Sequence, residues 1–259
     1  HWIRINNDIN KIMNIFSENN IDFTQYSYNT KYLSVKSLSH KIISELLSNG
    51  SIYIQSPSSG HVVDLLNPKD GDSIIDGCSS PGGKLTDIYF RYRKLKNLHS
   101  YEINYEKYKF LKKNINNMSI DNISIFNKSF LECSNSNFNK ILIDVPCSGT
   151  GSINKKPDIK ILRKIEEYDY FNEIQTSILN HSAKILKSGH IVYSTCSLNN
   201  LENWNIIDNF LYNNKNYKVS DISNLVPKNY IDKKGALFIK PHEHKLDGIF
   251  AVRLTKLNA

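Results

Sequence analysis

The sequence predicts an α/β protein built on a doubly wound, mostly parallel sheet. Three observations carry that expectation. From residue 71 onward, short apolar runs of strand length alternate with longer stretches whose apolar residues recur every three or four positions. A glycine-rich segment follows directly on the first of those runs, where a strand hands over to a helix. Two later runs end in cysteine-bearing segments, 144–151 and 193–198, at the strand ends where open α/β sheets bind ligands.

The elements follow in order. Residues 3–20 place Ile5, Ile9, Ile12, Ile15 and Phe16 at helical spacing. Residues 23–35 are aromatic and β-like. Residues 38–47 form a second helical stripe, stopped at Asn49-Gly50. Together these predict a small α+β extension over 1–50, ahead of a catalytic domain over 51–259. The larger part predicts strands at 73–76, 98–102, 123–126, 140–145 and 190–195, with a late strand at 248–255. Helices are expected after the first strand to about residue 93, then over 105–115, 159–186 and 201–211. The Asn/Ser-rich stretch 134–139 reads as a surface loop.

Composition narrows the class. The 259 residues are 40% hydrophobic and 22% charged, which is the balance of an ordinary globular chain with a sizeable core. No apolar run approaches the ~20 residues that a membrane helix needs. The start, His1 to Asn6, has neither an apolar leader nor a methionine, and reads as the start of a fragment. Four cysteines stand at 78, 133, 147 and 196, without the spacing of a zinc site or a disulfide framework. We expect a cytoplasmic, metal-free monomer. The net charge of +8 suggests an anionic partner. Cations concentrate at 91–113 (Arg91, Arg93, Lys94, Lys96, Lys107, Lys109, Lys112, Lys113) and at Lys155, Lys156, Lys160, Arg163 and Lys164. Such clusters suit a phosphate backbone or a solvated helix face.

Three segments carry chemistry. Asp76-Gly77-Cys78-Ser79-Ser80-Pro81-Gly82-Gly83-Lys84 is a glycine-rich turn between strand and helix. It matches neither a P-loop nor the dinucleotide fingerprint. Glu102 ends the next strand, 20 residues after Gly82, where doubly wound folds place a carboxylate for ribose hydroxyls. A nucleoside cofactor without a dominant phosphate contact fits this pair, namely S-adenosylmethionine. Cys78, Ser79, Ser80, Pro81, Gly82, Gly83, Lys84 and Glu102 are the candidate cofactor residues. The other two segments are Asp144-Val145-Pro146-Cys147-Ser148-Gly149-Thr150-Gly151 and Tyr193-Ser194-Thr195-Cys196-Ser197-Leu198. If their strands are neighbours, ~4.8 Å apart, both thiols face one pocket. Cys133 has no such setting and reads as a core residue.

DGCSSPGGK, DVPCSGTG and YSTCSL, in this order, resemble motifs I, IV and VI of the RNA cytosine-C5 methyltransferases. The stretches 53–60 and 156–160, Glu202-Asn203 after the third motif, and 241–250 resemble the same family, closest to its bacterial Sun/RsmB branch but without the NusB-like N-terminal domain. The resemblance implies a seven-stranded sheet of the class I S-adenosylmethionine-dependent methyltransferase type. It implies Cys196 as nucleophile toward cytosine C6, Cys147 as the thiol that assists release, and Asp144 as the group that holds the base edge and borders the cofactor. It also implies an RNA partner, 16S rRNA first. A tRNA substrate, or a non-catalytic RNA-binding protein on the same fold, stays open at this level. A DNA cytosine methyltransferase would use the cysteine after Pro146 instead, so Cys196 favours RNA. Ser79 and Ser80 stand where the family has alanines, Glu102 where it often has Asp, and no acid marks the strand end near Asn127. The pair His242/His244 reads as a loop before the last strand.

Overall fold

The computed structural model describes residues 1–162, 164 and 167–257. The chain opens with a strand, Trp2–Ile5 (β1), so the helix expected over 3–20 holds only from residue 9. Alternation decides this. Ile3 and Ile5 enter a small core with Phe16, Leu33 and Ile52, while Trp2 and Arg4 face the larger domain. Asp8 then caps α1 (Ile9–Glu18), its carboxylate accepting from Asn10 N at 2.9 Å. β2 (Phe23–Gln25), β3 (Tyr32–Val35), α2 (Lys41–Ser48) and β4 (Ile52–Ile54) follow. The four strands form one antiparallel sheet, ordered β2-β3-β1-β4.

The larger domain contains α3 (Pro57–Leu66), β5 (Ser73–Asp76), α4 (Gly83–Arg91), β6 (Asn97–Tyr101), α5 (Tyr105–Asn117), β7 (Ser124–Phe126) and β8 (Phe138–Asp144). It continues with α6 (Ile159–Leu162), α7 (Glu167–Ile185), β9 (Leu186–Thr195), α8 (Trp204–Asn213), β10 (Tyr217–Val219), β11 (Leu237–Ile239), α9 (Pro241–His244) and β12 (Ile249–Lys256). The helix expected over 159–186 is thus α6 and α7, with residues 163, 165 and 166 outside the described ones. The main sheet runs β10-β12-β9-β8-β5-β6-β7, and β11 pairs with β12. It has eight strands rather than the expected seven, because Leu237–Ile239 adds an antiparallel partner to β12. Pairs among β5 to β9 are parallel, and β12 runs antiparallel to β9. No described helix is long and apolar enough to cross a membrane.

Period-two alternation splits the strands between two cores. Ile74, Leu142 and Val192 pack toward Val62, Val63 and Leu85 of α3 and α4. Ile75, Ile141, Ile143 and Tyr193 pack toward Ile178 and Ile207 of α7 and α8. Cys133 belongs to this second core, as its sequence setting suggested.

The two sheets are joined by a buried guanidinium. Arg4 is 1% exposed. It donates to Asn6 Oδ1 (2.9 Å), Gln55 Oε1 (2.7 Å), the Gly83 carbonyl (2.6 Å) and Thr86 Oγ1 (2.8 Å), and lies 3.7 Å from the Asp87 carboxylate. Burying an ion costs several kcal/mol, and these partners offset that cost. Arg91, counted by sequence among the surface cations, also turns inward and binds both Asp87 and Asp64. Arg4→Met leaves Thr86 and the Gly83 carbonyl without their donor. It is expected to lower stability by about 3 kcal/mol, the lower range for breaking a buried ion pair. An unchanged urea midpoint would show that apolar packing alone holds the sheets together.

Candidate active site

The site lies at the carboxyl ends of β5, β8 and β9, beside the point where the sheet is wound in both directions from β5. β5 ends at Asp76, and the glycine-rich turn follows. Ser79 Oγ donates to the Asp76 carbonyl at 2.8 Å, and Gly82 N to the Ser79 carbonyl at 2.7 Å. Gly82 has φ +103°, a conformation that a side chain would strain, and α4 begins at the next residue. A Cβ on Gly83 would lie 3.2 Å from the Tyr53 ring and 3.3 Å from Gln55 Nε2. The backbone there is pressed against residues arriving from the small sheet.

The turn and residues 53–59 border a cavity of about 220 Å³. Its lining includes Cys78, Ser79, Ser80, Pro81, Gly83 and Lys84 of the predicted set, with Asp144 from β8. Tyr53, Ile54, Gln55, Ser56, Ser59, Asp76, Lys155 and Asp247 complete it and were not singled out by sequence as site residues. Gly82 and Glu102 lie outside the lining. Glu102 follows β6 and accepts from Asn104 N at 2.9 Å. Nearby, Asn127 Nδ2 donates to the Glu102 carbonyl at 2.9 Å.

The electrostatics of the cavity centre on one cation between two carboxylates. Lys84 Nζ donates to Asp144 Oδ2 at 2.6 Å, and Ser194 Oγ to Asp144 Oδ1 at 2.6 Å. Burial disfavours the Lys84 charge, but the Asp144 charge and hydrogen bond outweigh it and hold the ammonium above its ordinary value. Burial pushes Asp76 up to about 7; Asp144 adds to the rise and Lys84 opposes it. Burial also pushes the Cys78 thiol well up, with Asp76 contributing, so Cys78 lines the turn as a neutral group.

The cysteines of the other two segments meet. β8 and β9 are neighbours, in register at Asp144 and Ser194, and Sγ of Cys147 lies 3.2 Å from Sγ of Cys196. All four cysteines of the chain are free. The hydrogen bond from Cys147 lowers the pKa of Cys196; burial and Asp144 oppose this, and Lys84 reinforces it. The same bond raises Cys147 well above its ordinary value, and burial and Glu202 add to the rise. Of the two thiols, Cys196 is thus the more readily ionised and Cys147 the less. Neither cysteine lines the cavity; the Lys84–Asp144 pair adjoins both groups.

Behind the cysteines lies a polar network. Glu202 is fully buried and accepts from Ser148 N (2.7 Å) and Ser148 Oγ (2.5 Å). Asn203 accepts from Thr195 Oγ1 (2.6 Å) and donates to the Ser197 carbonyl (3.0 Å). The one sequence signal for this pair was its position shortly after the third motif. Gly151 is held by close approach, since a Cβ there would meet the Gly248 carbonyl oxygen at 2.5 Å. Of the second cationic cluster, Lys155 pairs with Asp247 at 2.7 Å, and Arg163 lies outside the described residues. His244 is a structural residue: Lys240 N donates to its Nδ1 at 2.9 Å, and its ring lies against Tyr230.

Residues 63–255 match the family described as 16S rRNA methyltransferase RsmB/F. The probable ribosomal RNA small subunit methyltransferase B of Bacillus subtilis (strain 168) is 31% identical over 216 residues, 80% of this chain and 48% of that protein. The ribosomal RNA small subunit methyltransferase B of Serratia proteamaculans (strain 568) is 30% identical over 214 residues, 81% and 48% of the two chains. This chain spans about half the length of these curated relatives. Among solved structures, a methyltransferase homolog protein from Pyrococcus horikoshii aligns with a TM-score of 0.83 at 23% identity, covering 99% of this chain and 86% of its own. The structure of NSun6 from the same organism, with SFG, aligns at 0.87 and 17% identity, covering 100% and 91%. At these identities the two structural likenesses speak for the fold. The match over residues 63–255 speaks for descent, and the chain belongs to the RsmB/F family of 16S rRNA methyltransferases.

Proposed function

We propose that this chain transfers a methyl group from S-adenosylmethionine to C5 of a cytosine in small-subunit ribosomal RNA, through a covalent bond between Cys196 and C6. One observation carries the reading. Two free thiols lie 3.2 Å apart at the ends of adjacent parallel strands, polarised so that the anion forms on Cys196. The names of the curated relatives support small-subunit rRNA as substrate.

The residues of the turn fit the cofactor. The left-handed Gly82 makes the turn, and Gly83, where a Cβ would crowd the Tyr53 ring, presents backbone to the cavity, with Asp76 and neutral Cys78 at its wall. Cys78, Ser79, Ser80, Pro81, Gly82, Gly83, Lys84 and Asp144 would hold it, with Glu102 reaching the ribose. The bound cofactor supplies the methyl group.

The chain's own residues do the rest. Cytosine C5 is a poor nucleophile. Addition of the Cys196 thiolate to C6 moves the ring double-bond electrons toward C5, which becomes enamine-like and able to take a methyl group; one hard step becomes two easier ones. Asp144, fixed by Lys84 and Ser194, accepts from the base edge near N3. Release needs the C5 proton removed and the sulfur–C6 bond broken. While Cys196 is an anion, its charge and hydrogen bond oppose ionisation of Cys147. Once Cys196 is bonded to carbon both effects vanish. Cys147 then gives its thiol proton to water and, as thiolate, takes the C5 proton; the C5–C6 double bond re-forms and Cys196 leaves as thiolate. A base inside a duplex cannot expose C6, so the target is single-stranded or flipped out.

Cys147→Ala is expected to form the bond to RNA, transfer the methyl group and stop there. A methyl-labelled protein–RNA adduct should survive denaturing electrophoresis and vanish when Cys196→Ala is added. Normal turnover without adduct would refute the two-cysteine reading, and an adduct persisting in the double variant would place the nucleophile elsewhere. Glu102→Ala should weaken cofactor binding by about 1.5–3 kcal/mol, the contribution of a charged hydrogen bond. Unchanged affinity by calorimetry would reject the ribose role.

A further inference from the structure

We propose that Glu202 and Asn203 are positioning residues that tie the Cys147 segment to the Cys196 segment and so set the approach of the two sulfurs. This rests on the two-cysteine reading above and adds the device that keeps the pair in register.

The observation is a buried carboxylate without a cation. Glu202 is 0% exposed, and among the described residues no Lys or Arg pairs with it. A charge in that position costs several kcal/mol unless every lone pair is used. Its partners are all neutral and mostly lie on one segment: Ser148 N and Ser148 Oγ directly, and Gln175 Nε2 at 3.2 Å. Gln175 Nε2 in turn donates to the Pro146 carbonyl at 2.8 Å. The residues on both sides of Cys147 are thereby held. An ionised carboxylate accepts and never donates, so it fixes the direction of all three donors at once, which a neutral side chain of the same size does not.

Asn203 does the same for the other segment. Its amide accepts from Thr195 Oγ1 and donates to the Ser197 carbonyl, on both sides of Cys196. The two residues are adjacent in sequence, so one peptide unit joins the segments. Tyr193 OH donates to the Glu202 carbonyl at 2.6 Å and anchors that unit to β9. Ser148 Oγ and Ser197 Oγ then meet at 3.2 Å, a second contact between the segments parallel to the one between the sulfurs. The charges reinforce the geometry. The titratable groups facing the sulfurs are Lys84, Asp144, Glu202 and Tyr193. Lys84 favours the anion on Cys196, and Glu202 disfavours one on Cys147.

Alkylation of the RNA-free chain by iodoacetamide, followed by peptide mass spectrometry, tests this without any methyl transfer. Cys196 should react faster than Cys147 in the wild type. Glu202→Ala and Asn203→Ala should each slow Cys196 by about tenfold, the change in thiolate fraction that one pKa unit brings, and draw the two rates together. Glu202→Gln keeps an acceptor for Ser148 N and loses the charge, so it should fall between. Cofactor affinity should stay within about twofold of wild type, because the 76–84 turn does not touch the tie, whereas a loss of a full hydrogen bond would exceed that. Wild-type rates and ratio in the variants would overturn the proposal, as would alkylation changes that only track lost cofactor binding. Should Glu202→Ala fail to fold, Glu202→Gln and Asn203→Ala decide by the same readout. Cys196→Ala separates the two claims: methyl transfer surviving in it refutes the nucleophile, while the alkylation ratios judge the tie.

Discussion

Asp144 and Ser194 face each other across the parallel pair β8–β9, and the candidate site hangs from that register. Neighbouring strands lie ~4.8 Å apart, so whatever follows their last residues begins side by side. Cys147 comes three residues after Asp144, and Cys196 two after Ser194. Each segment has left the ladder by then, and each needs something other than the sheet to hold it. Gly151 N donates to the Cys196 carbonyl at 2.8 Å, and Gly248 N to the Gly151 carbonyl at 2.9 Å, which fastens the first segment to the second and to the start of β12. That crossing works only with glycine on both sides, because a Cβ on either would overlap the other's backbone.

The sequence expressed this arrangement unevenly. Strands β5, β8 and β9 were legible because each has an apolar centre buried on both faces, Ile74-Ile75, Ile141-Leu142-Ile143 and Ile191-Val192-Tyr193. The meeting of Cys147 and Cys196 followed from their matching positions past two strand ends, conditional on those strands being neighbours, and the pairing of β8 with β9 meets the condition. Helix α3 was not legible by periodicity. Pro57, Ser58, Gly60, His61, Val62, Val63, Leu65 and Leu66 are all buried, so there is no polar face to mark its turns. β1 was misread for the opposite reason: Ile5 continued the spacing of Ile9 and Ile12, and the strand alternation of four residues was too short to compete. Arg91 illustrates what composition hides. By sequence it belongs to a cationic stretch, yet Asp87, one turn back on its own helix, and Asp64 of α3 both claim it, and composition cannot bring Asp64 to it.

The same limitation explains the unforeseen wall of the cavity. Tyr53 lies within β4 of the small sheet and Gln55 directly follows it, and their approach to Gly83 depends on Arg4 docking that sheet onto the first turn of α4. A guanidinium offers a planar fork of donors, and here it satisfies the Gly83 carbonyl, Thr86 and Gln55 together. The small sheet is therefore part of the site's construction: it supplies the side-chain wall against which the glycine turn presents its backbone.

Charge at the floor of the cavity follows from these constraints. Asp76 and Asp144 end neighbouring strands, so their carboxylates are forced together, and Lys84 is the cation between them. One cation cannot neutralise two carboxylates, of which Asp76 is fully buried and Asp144 partly exposed. Asp144 takes the direct contact, and Asp76, with burial against it, rises to about 7. Its folded-state pKa lies above the unfolded value, so the folded state holds a proton there that the unfolded chain releases. The stability from Asp76 is full below about pH 4 and is lost as pH rises through 7. Near neutrality the trio thus carries between zero and one net negative charge, on the wall where the proposed cofactor would lie. That charge can vary while Asp144 stays fixed between Lys84 and Ser194, because the proton is taken up one strand away from the cysteine pair.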